Sequence, residues 1–460
     1  MRPSAGAARS PPQSKVTTTT PRNKHSISRV LIILSIVLPV ILAITIVGVA
    51  STPQAVLFPR LQSFIVTRFS NTVCANKRIG FLCLTSGPHR RIFSSRTMAT
   101  STGASLPFER ERRVAELAVQ RAAVLSKAVY NSKVKGTLEK DDNSPVTIAD
   151  FGAQSLVFAS LDKNFPDDNI IGEEDSADLR SNKELTGLVF KAVTDAIYSN
   201  ATGQSSSSSS TSSGPVPELG TVSNETEMMD FIDKGRHTES GKGRVWALDP
   251  IDGTKGFLRG GQYAIALALL VDGVVEVGVL GCPNLGEDGG VLVSAVRGQG
   301  TVVRPLSSDF STLADPSRVT MKPITTSSEA AFCEGVESGH SNHNLQGKIA
   351  SGLGITKDPV RYDSQVKYAA LALGQAEIYL RLPTSMKYEE KIWDHAAGSL
   401  VVEEAGGAVF DMYGDKLDFT TGRTFKRNKG VIVMPKGIAE DVVRVVSEAA
   451  IEVYGAKSVL

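Results

Sequence analysis

The sequence predicts an α/β protein of two lobes, an antiparallel sheet flanked by helices and then a smaller lobe in which strands and helices alternate. Three observations carry that expectation. Tyr263 to Val271 and Val274 to Leu280 are β-rich runs joined by Asp272-Gly273, a pair suited to a tight hairpin. Glu109 to Ser132 sets Val114, Leu117, Ala118, Ala122 and Leu125 at helical spacing with charged residues opposite, so a long amphipathic helix should lie against that sheet. Around residue 325 the pattern changes from consecutive strands to alternating strand and helix.

Taken in order, the first helix is followed by a polar turn, Asp141 to Pro145, and a second helical stretch, Phe151 to Leu161. Asn164-Phe165-Pro166-Asp167-Asp168 turns the chain into a strand that ends at Ile170-Ile171-Gly172. Gln204 to Pro217 is serine-rich and too polar to pack, which predicts a disordered surface insertion. Val245-Trp246-Ala247-Leu248 is an apolar strand, and Val291 to Ala295 and Gly300 to Val303 extend the sheet beyond the hairpin. In the second lobe Val366 to Leu373 and Ala396 to Ala405 are helical, the latter closed by Gly406-Gly407, while Ala376 to Leu382 and Gly430 to Met434 are strands. The lobes are expected to span 105–320 and 321–455, with the active site between them.

The net charge of +2 conceals a division. Residues 1–108 contain no Asp or Glu, and 13 Lys and Arg precede Met98, which leaves 37 basic against 48 acidic residues, a net of about −11, in the remainder. An acidic body excludes a broad nucleic-acid surface and fits a protein that gathers carboxylates for metal. The four cysteines show no C-x-x-C spacing, so neither a zinc site nor a disulfide framework is expected.

Residues 1–104 read as a separate extension. Val30 to Ala50 is an uncharged apolar run long enough to span a bilayer, and more basic residues precede it than follow it. The acid-free stretch ending Arg90-Arg91-Ile92-Phe93-Ser94-Ser95-Arg96 also has the character of an organellar transit sequence. Met98 offers a third reading as the true start. These alternatives predict, in turn, a membrane-anchored, an organellar and a cytoplasmic protein.

Chemistry concentrates in Asp249-Pro250-Ile251-Asp252-Gly253-Thr254, where two carboxylates, a backbone carbonyl and a hydroxyl crowd together after an apolar strand. Oxygen-only donors suit Mg²⁺, which completes its shell with water and a substrate phosphate. Gly253 allows close backbone approach, and the N–H groups from Thr254 onward can face an anion. An Asx-rich surface turn is the plain alternative. Further acidic residues stand where elements begin or end: Asp150 at a helix start, Glu173-Glu174-Asp175 after a strand, and Asp394 before a helix. Each alone reads as an ordinary cap or exposed acid; together they suggest convergence.

Asp150 within Thr147-Ile148-Ala149-Asp150, Gly172-Glu173-Glu174, the Asp249 to Thr254 segment and Trp393-Asp394-His395-Ala396-Ala397-Gly398 resemble, in order, the signature segments of the inositol monophosphatase superfamily of Mg²⁺-dependent, lithium-sensitive phosphatases. Asp249 to Gly260, Val336 to His343, Asp363 to Tyr368 and Ala376 to Pro383 are similar to its fungal 3'(2'),5'-bisphosphate nucleotidase branch. The resemblance covers roughly residues 105 to 455 and implies a layered αβαβα sandwich.

It also implies roles. Glu173, Asp249, the carbonyl of Ile251, Asp252 and Asp394 would hold two or three Mg²⁺. Asp150 and Thr254 would orient and deprotonate the attacking water. Thr254, His340, Ser364, Lys367, Arg381 and Asp394 would contact substrate, with Lys367 or Arg381 on a second phosphate and His340 near the adenine or ribose. Read without the resemblance, Lys367 lies on a solvated helix face and His340 in an exposed polar loop, and the few histidines lack neighbours for a nucleophile system. The implied activity is removal of the 3'-phosphate from adenosine 3',5'-bisphosphate, giving AMP, with action on 3'-phosphoadenylyl sulfate and a link to sulfate assimilation. An inositol phosphate phosphatase and a non-catalytic, membrane-tethered nucleotide sensor are the alternatives. A small-molecule nucleotide is the expected partner, and a monomer the expected state.

Overall fold

The computed structural model describes residues 106–132, 136–139, 145–198, 216–286, 289–336 and 343–456, all within the compact unit Thr97–Leu460. The amphipathic stretch forms α1 (Glu109–Asn131), and Val114, Leu117, Ala118, Ala122 and Leu125 line its buried face. A short antiparallel pair, β1 (Leu138–Glu139) and β2 (Pro145–Val146), leads into α2 (Ile148–Asn164). That helix begins three residues before the apolar periodicity does, because Thr147 and Asp150 close a capping box at its N-terminus.

The larger sheet holds seven strands in chain order: β3 (Asn169–Gly172), β4 (Arg244–Asp252), β5 (Ala264–Val271), β6 (Val274–Cys282), β7 (Val291–Val296), β8 (Gly300–Pro305) and β9 (Ser317–Val319). Only the first pair, β3 with β4, is parallel. At the β5–β6 hairpin Asp272 and Gly273 take φ of 50° and 78°, the left-handed pair that a two-residue connection requires. Helices α3 (Lys183–Tyr198) and α4 (Glu225–Asp233) lie between β3 and β4 in the chain and were not anticipated from the sequence. After β4 comes the single-turn α5 (Thr254–Arg259).

The smaller sheet has the order β11-β10-β12-β14-β13, built from β10 (Phe332–Glu334), β11 (Val360–Arg361), β12 (Ile378–Arg381), β13 (Gly407–Phe410) and β14 (Val431–Pro435). It is parallel at β11-β10-β12 and antiparallel beyond. Four helices accompany it: α6 (His343–Leu353), α7 (Val366–Ala372), α8 (Ala396–Glu404) and α9 (Ala439–Tyr454).

Alternation along the strands sorts the apolar residues into three cores. Trp246, Leu248, Leu267 and Leu269 meet α1, α2 and α3 on one face of the large sheet. Val245, Ala247, Ala266 and Ala268 face α7 and α8, which also pack on Tyr379 and Val433 of the small sheet. Ile378, Leu380, Ile432 and Met434 project to the far side, toward α6 and α9. The result is the αβαβα layering expected of the chain.

One buried cation braces the first core. Arg121 donates to the carbonyl oxygens of Leu156 (2.6 Å), Leu219 (2.7 Å) and Gly220 (2.9 Å) and to Ser160 Oγ (2.8 Å). Burial pulls its guanidinium down to about 9. These bonds also bear on the serine-rich insertion. Most of Gln204 to Pro217 lies outside the described residues, but Val216 and Pro217 do not: Pro217–Leu219 is a 3₁₀ turn, and Leu219 is buried under Arg121. At Val216 and Pro217 the expectation of disorder fails, because the chain returns to the core there.

The 30–50 apolar run also lies outside the described residues, as do Cys74 and Cys83. Among the described residues no helix is long and apolar enough to cross a membrane. Cys282 and Cys333 are buried free thiols.

Candidate active site

A bulge in β4 brings the two aspartates of the central motif together. Three residues apart on a regular strand, Asp249 and Asp252 would face opposite sides. Here Asp249 pairs with Ala266 and Asp252 with Ala264, so β4 carries one extra residue against β5 and both carboxylates return to one side. Pro250, which has no N–H to lose, sits inside the irregularity. The motif was expected as a turn after the strand; it is the distorted last part of the strand itself.

The neighbouring strand supplies Glu173. In the parallel pair Gly172 is opposite Leu248, so Glu173 and Asp249 leave the two strands side by side. Gly172 is required by crowding: a Cβ there would lie 2.7 Å from Phe158 Cζ and 2.8 Å from Gln154 Oε1. Gln154 fixes the turn that follows, donating to Glu174 O at 2.7 Å and accepting from Glu174 N at 3.1 Å.

Asp150 shows that the cap reading and the site reading are compatible. Its Oδ2 accepts from Thr147 N (2.8 Å) and Thr147 Oγ1 (2.7 Å), which caps α2, while Oδ1 lies 3.4 Å from Thr254 Oγ1. The Thr254 hydroxyl is also 3.2 Å from Ile251 O. Gly253, at φ 95°, makes the turn between Asp252 and Thr254; a Cβ on it would stand 2.3 Å from Ser364 Oγ. Ser364 itself is left-handed at φ 59°, a strained conformation for a serine. The next residue, Gln365, donates its backbone N–H to Asp252 Oδ2 at 2.9 Å.

Gln365 ties this cluster to Asp394. Its side chain donates to Trp393 O at 2.8 Å and accepts from Gly398 N at 3.1 Å. Gly398 is in the first turn of α8, whose N–H groups have no intrahelical partner, so the amide caps the helix and holds the Ile392–Asp394 turn against the Asp252 strand. Arg423 acts from the other side. It donates to Gly172 O at 2.6 Å and lies 4.6 Å over the Trp393 ring, which joins the Glu173 strand end to the Asp394 turn.

Behind Asp394 stands a buried charged group. Arg381 Nε is 2.7 Å from Glu390 Oε2, and Arg381 Nη2 is 4.0 Å from Asp394 Oδ2. His395 Nε2 is 3.5 Å from the same Glu390 oxygen, and its Nδ1 is 2.7 Å from Tyr368 Oη. Burial opposes the charge on Glu390, but Arg381 and His395 outweigh it and hold the carboxyl at about 2. His395 is buried with two polar neighbours, Glu390 and Tyr368, but no serine or cysteine nucleophile is among them. Glu390, Asp394 and His395 bring ligand atoms within 4.8 Å of one another, but the Glu390 carboxylate is ion-paired with the Arg381 guanidinium, without a hydrogen bond between Nε and Oε2. Lys367 is likewise buried rather than solvated, with Nζ 4.9 Å from the Tyr379 ring centre, and burial lowers its proton affinity.

The donor set fits a cation. Asp249 Oδ1 is buried and has no hydrogen-bond partner. Burial first, then the carboxylates of Glu173, Asp252, Asp394 and Asp150, push the Asp249 carboxyl well above its ordinary range. Asp394 is raised by burial and by Asp252 and Glu173, with Arg381 opposing. Asp252 is raised by burial but relieved by Lys367, Ser364, Gln365 and Arg381. Several acids that cannot all ionise without help, one with an orphaned oxygen, form a site that positive charge would stabilise.

Asp150, Glu173, Asp249, Ile251, Asp252, Thr254 and Asp394 thus come together, with Ser364, Lys367 and Arg381 beside them. His340 lies outside the described residues. The sequence reading missed Gln154, Gln365, Glu390, His395 and Arg423. Gln365, within the Asp363 to Tyr368 segment, and His395, within the Trp393 to Gly398 segment, stood among residues already singled out, but an uncharged amide and an unpaired imidazole carry no signal without their partners.

Comparison with known proteins follows the same lines. The model of the inositol monophosphatase family matches residues 109–450. The chain is 48% identical over 361 residues to the 3'(2'),5'-bisphosphate nucleotidase of Emericella nidulans, covering 75% of this chain and 99% of that one. It is 47% identical over 351 residues to the protein of the same name from Schizosaccharomyces pombe, at 74% and 95% coverage. With the Oryza sativa nucleotidase the identity is 40% over 380 residues, at 78% and 100% coverage.

Proposed function

We propose a function from one established premise: the chain belongs to the inositol monophosphatase family. It is a phosphatase of the 3'(2'),5'-bisphosphate nucleotidase type, which removes the 3'-phosphate of adenosine 3',5'-bisphosphate to give AMP and phosphate. The reading extends to 3'-phosphoadenylyl sulfate, and with it a place in sulfate assimilation, because that compound carries the same 3'-phosphate; sensitivity to Li⁺ is what the family resemblance implies. Residues 105–320 and 321–455 are its two lobes. The observation that carries the reading is the buried acidic cluster around Asp249, with its unpartnered Oδ1, facing the cations Lys367 and Arg381.

Glu173, Asp249, the Ile251 carbonyl, Asp252 and Asp394 would hold two or three Mg²⁺. Bound Mg²⁺ would screen the charge of the phosphate and lower the pKa of a water. Asp150 and Thr254 would orient the attacking water, with Asp150 Oδ1, which faces Thr254 Oγ1 at 3.4 Å, as the base that would take its proton. Thr147 keeps the other oxygen of Asp150 occupied, so the base presents one defined atom. Lys367 and Arg381 supply positive charge for a second phosphate, which a substrate with one phosphate would leave unmatched. Ser364, which lies beside Gly253, would contact the substrate, and His340 would lie near the adenine or ribose.

The test is a parallel rate measurement with Mg²⁺ on adenosine 3',5'-bisphosphate and inositol monophosphate. The bisphosphate should turn over faster, and Asp252→Asn should lower that rate at least about a hundredfold. Faster turnover of the inositol compound, or full activity in the variant, would overturn the assignment.

A further inference from the structure

Glu390 has no part in the chemistry just described, yet it is a buried acid set one residue layer behind the cluster. Its Oε2 faces Arg381 Nε at 2.7 Å and His395 Nε2 at 3.5 Å, and its backbone carbonyl is fixed by Phe425 N at 2.9 Å. Arg381 therefore stands between two carboxylates at unequal distances: Glu390 at 2.7 Å and Asp394 at 4.0 Å. The shorter contact is a close ion pair, although its angle does not make a hydrogen bond, and the longer one is at the limit of ion pairing. A guanidinium always keeps its charge and needs a buried partner. Were Glu390 neutral, the nearest remaining anion would be Asp394, and a small rotation of the guanidinium would close that gap.

We propose that Glu390 is a positioning residue that acts through Arg381: it holds the guanidinium off Asp394, so that the Asp394 carboxylate stays available to a divalent cation. The inference rests on the assignment of Asp394 as a metal ligand. His395 supports the arrangement, because its Nδ1 is engaged by Tyr368 Oη at 2.7 Å, which turns Nε2 to Glu390. One carboxylate then organises the phosphate-facing arginine and spares the metal-facing aspartate.

The decisive experiment measures cation binding directly, by Mn²⁺ electron paramagnetic resonance and by Mg²⁺ calorimetry, on the folded wild type, Glu390→Gln, Arg381→Met, the double variant and Asp394→Asn. Glu390→Gln preserves shape and removes charge, and it should bind about tenfold more weakly, as loss of an outer-shell partner does. Arg381→Met should bind at least as well as wild type, and the double variant should recover to within about threefold of Arg381→Met, since the competing cation is gone. Wild-type affinity in Glu390→Gln, or a double variant as weak as Glu390→Gln, overturns the proposal. Should Glu390→Gln not fold, the double variant decides: binding like Arg381→Met supports the competition, and weak binding refutes it. If Asp394→Asn binds as tightly as wild type, the metal assignment itself falls and takes the proposal with it.

Discussion

Replacing Gln365 by alanine tests how the acidic cluster is held together. The side chain is 1% exposed and spans two backbone groups, Trp393 O and Gly398 N, on either side of Asp394. Truncation leaves both unsatisfied where water has little access. Each stranded buried group costs about 1–3 kcal/mol, and the missing amide leaves a cavity worth about 1 kcal/mol more. With partial relaxation the expected loss is about 3–5 kcal/mol, read as a shift of the urea-unfolding midpoint. Gln365→Met separates the causes. It fills the space but cannot bond, so if the hydrogen bonds dominate it should lose nearly as much as alanine. Gln365→Glu still accepts from Gly398 N but cannot donate to Trp393 O, and it adds charge to an acidic site, so it should not rescue. Because the bond to Asp252 uses the backbone N–H of Gln365, Asp252 stays anchored in all three variants. The functional defect should therefore appear as a raised Mg²⁺ requirement attributable to Asp394. A loss below about 1 kcal/mol in Gln365→Ala, with an unchanged Mg²⁺ requirement, would refute the reasoning.

Gly253→Ala combines a left-handed backbone with a Cβ placed 2.3 Å from Ser364 Oγ; a destabilisation of about 2–4 kcal/mol in urea unfolding and a rate loss of about a hundredfold in a phosphate-release assay are expected. Arg121→Met strands the carbonyls of Leu219 and Gly220, while Leu156 O keeps the Ser160 hydroxyl, and should lower the unfolding free energy by about 2–5 kcal/mol, whereas a change under about 1 kcal/mol would mean that water replaces the guanidinium. The metal-free protein should also show an inverted pH response. Asp249 and Asp394 are raised in the fold, so their contribution is complete below the unfolded carboxyl value and is lost as pH rises through the folded ones. In a chelator the melting temperature should fall as pH rises above the ordinary carboxylate range, and saturating Mg²⁺ should abolish that slope; a melting temperature that rises with pH there would contradict the crowding of these acids.

Local chemistry made much of the fold legible. The spacing of Val114, Leu117, Ala118, Ala122 and Leu125 marks α1 because a helix buries one stripe, and Asp272-Gly273 marks the hairpin because few residue pairs accept two positive φ values. Helices α3, α4 and α9 went unread although each buries an apolar stripe as clear as that of α1, such as Leu185, Val189 and Val193 in α3 and Val442, Val445 and Val446 in α9. In the site, the carboxylates stand out in the sequence because acids beside Gly and Pro at element ends are unusual for packing. Their supports do not. Gln154, Gln365, Glu390 and Arg423 are ordinary residues in sequence, and each gains its role only from groups distant in the chain, as Arg423 does from Gly172 and Trp393.

By itself the sequence determined which oxygens are available for a cation, where the strands and helices that carry most of them begin or end, and which face of each element is apolar, since these depend on neighbours within a few residues. Tertiary structure decided which side each oxygen faces. The bulge at Pro250 turns Asp249 and Asp252 to the same side, Gln365 draws the Asp394 turn to Asp252, and Glu390 sets the angle of Arg381. Orientation depends on register and on long-range hydrogen bonds, and those exist only once the two sheets have packed about α7 and α8.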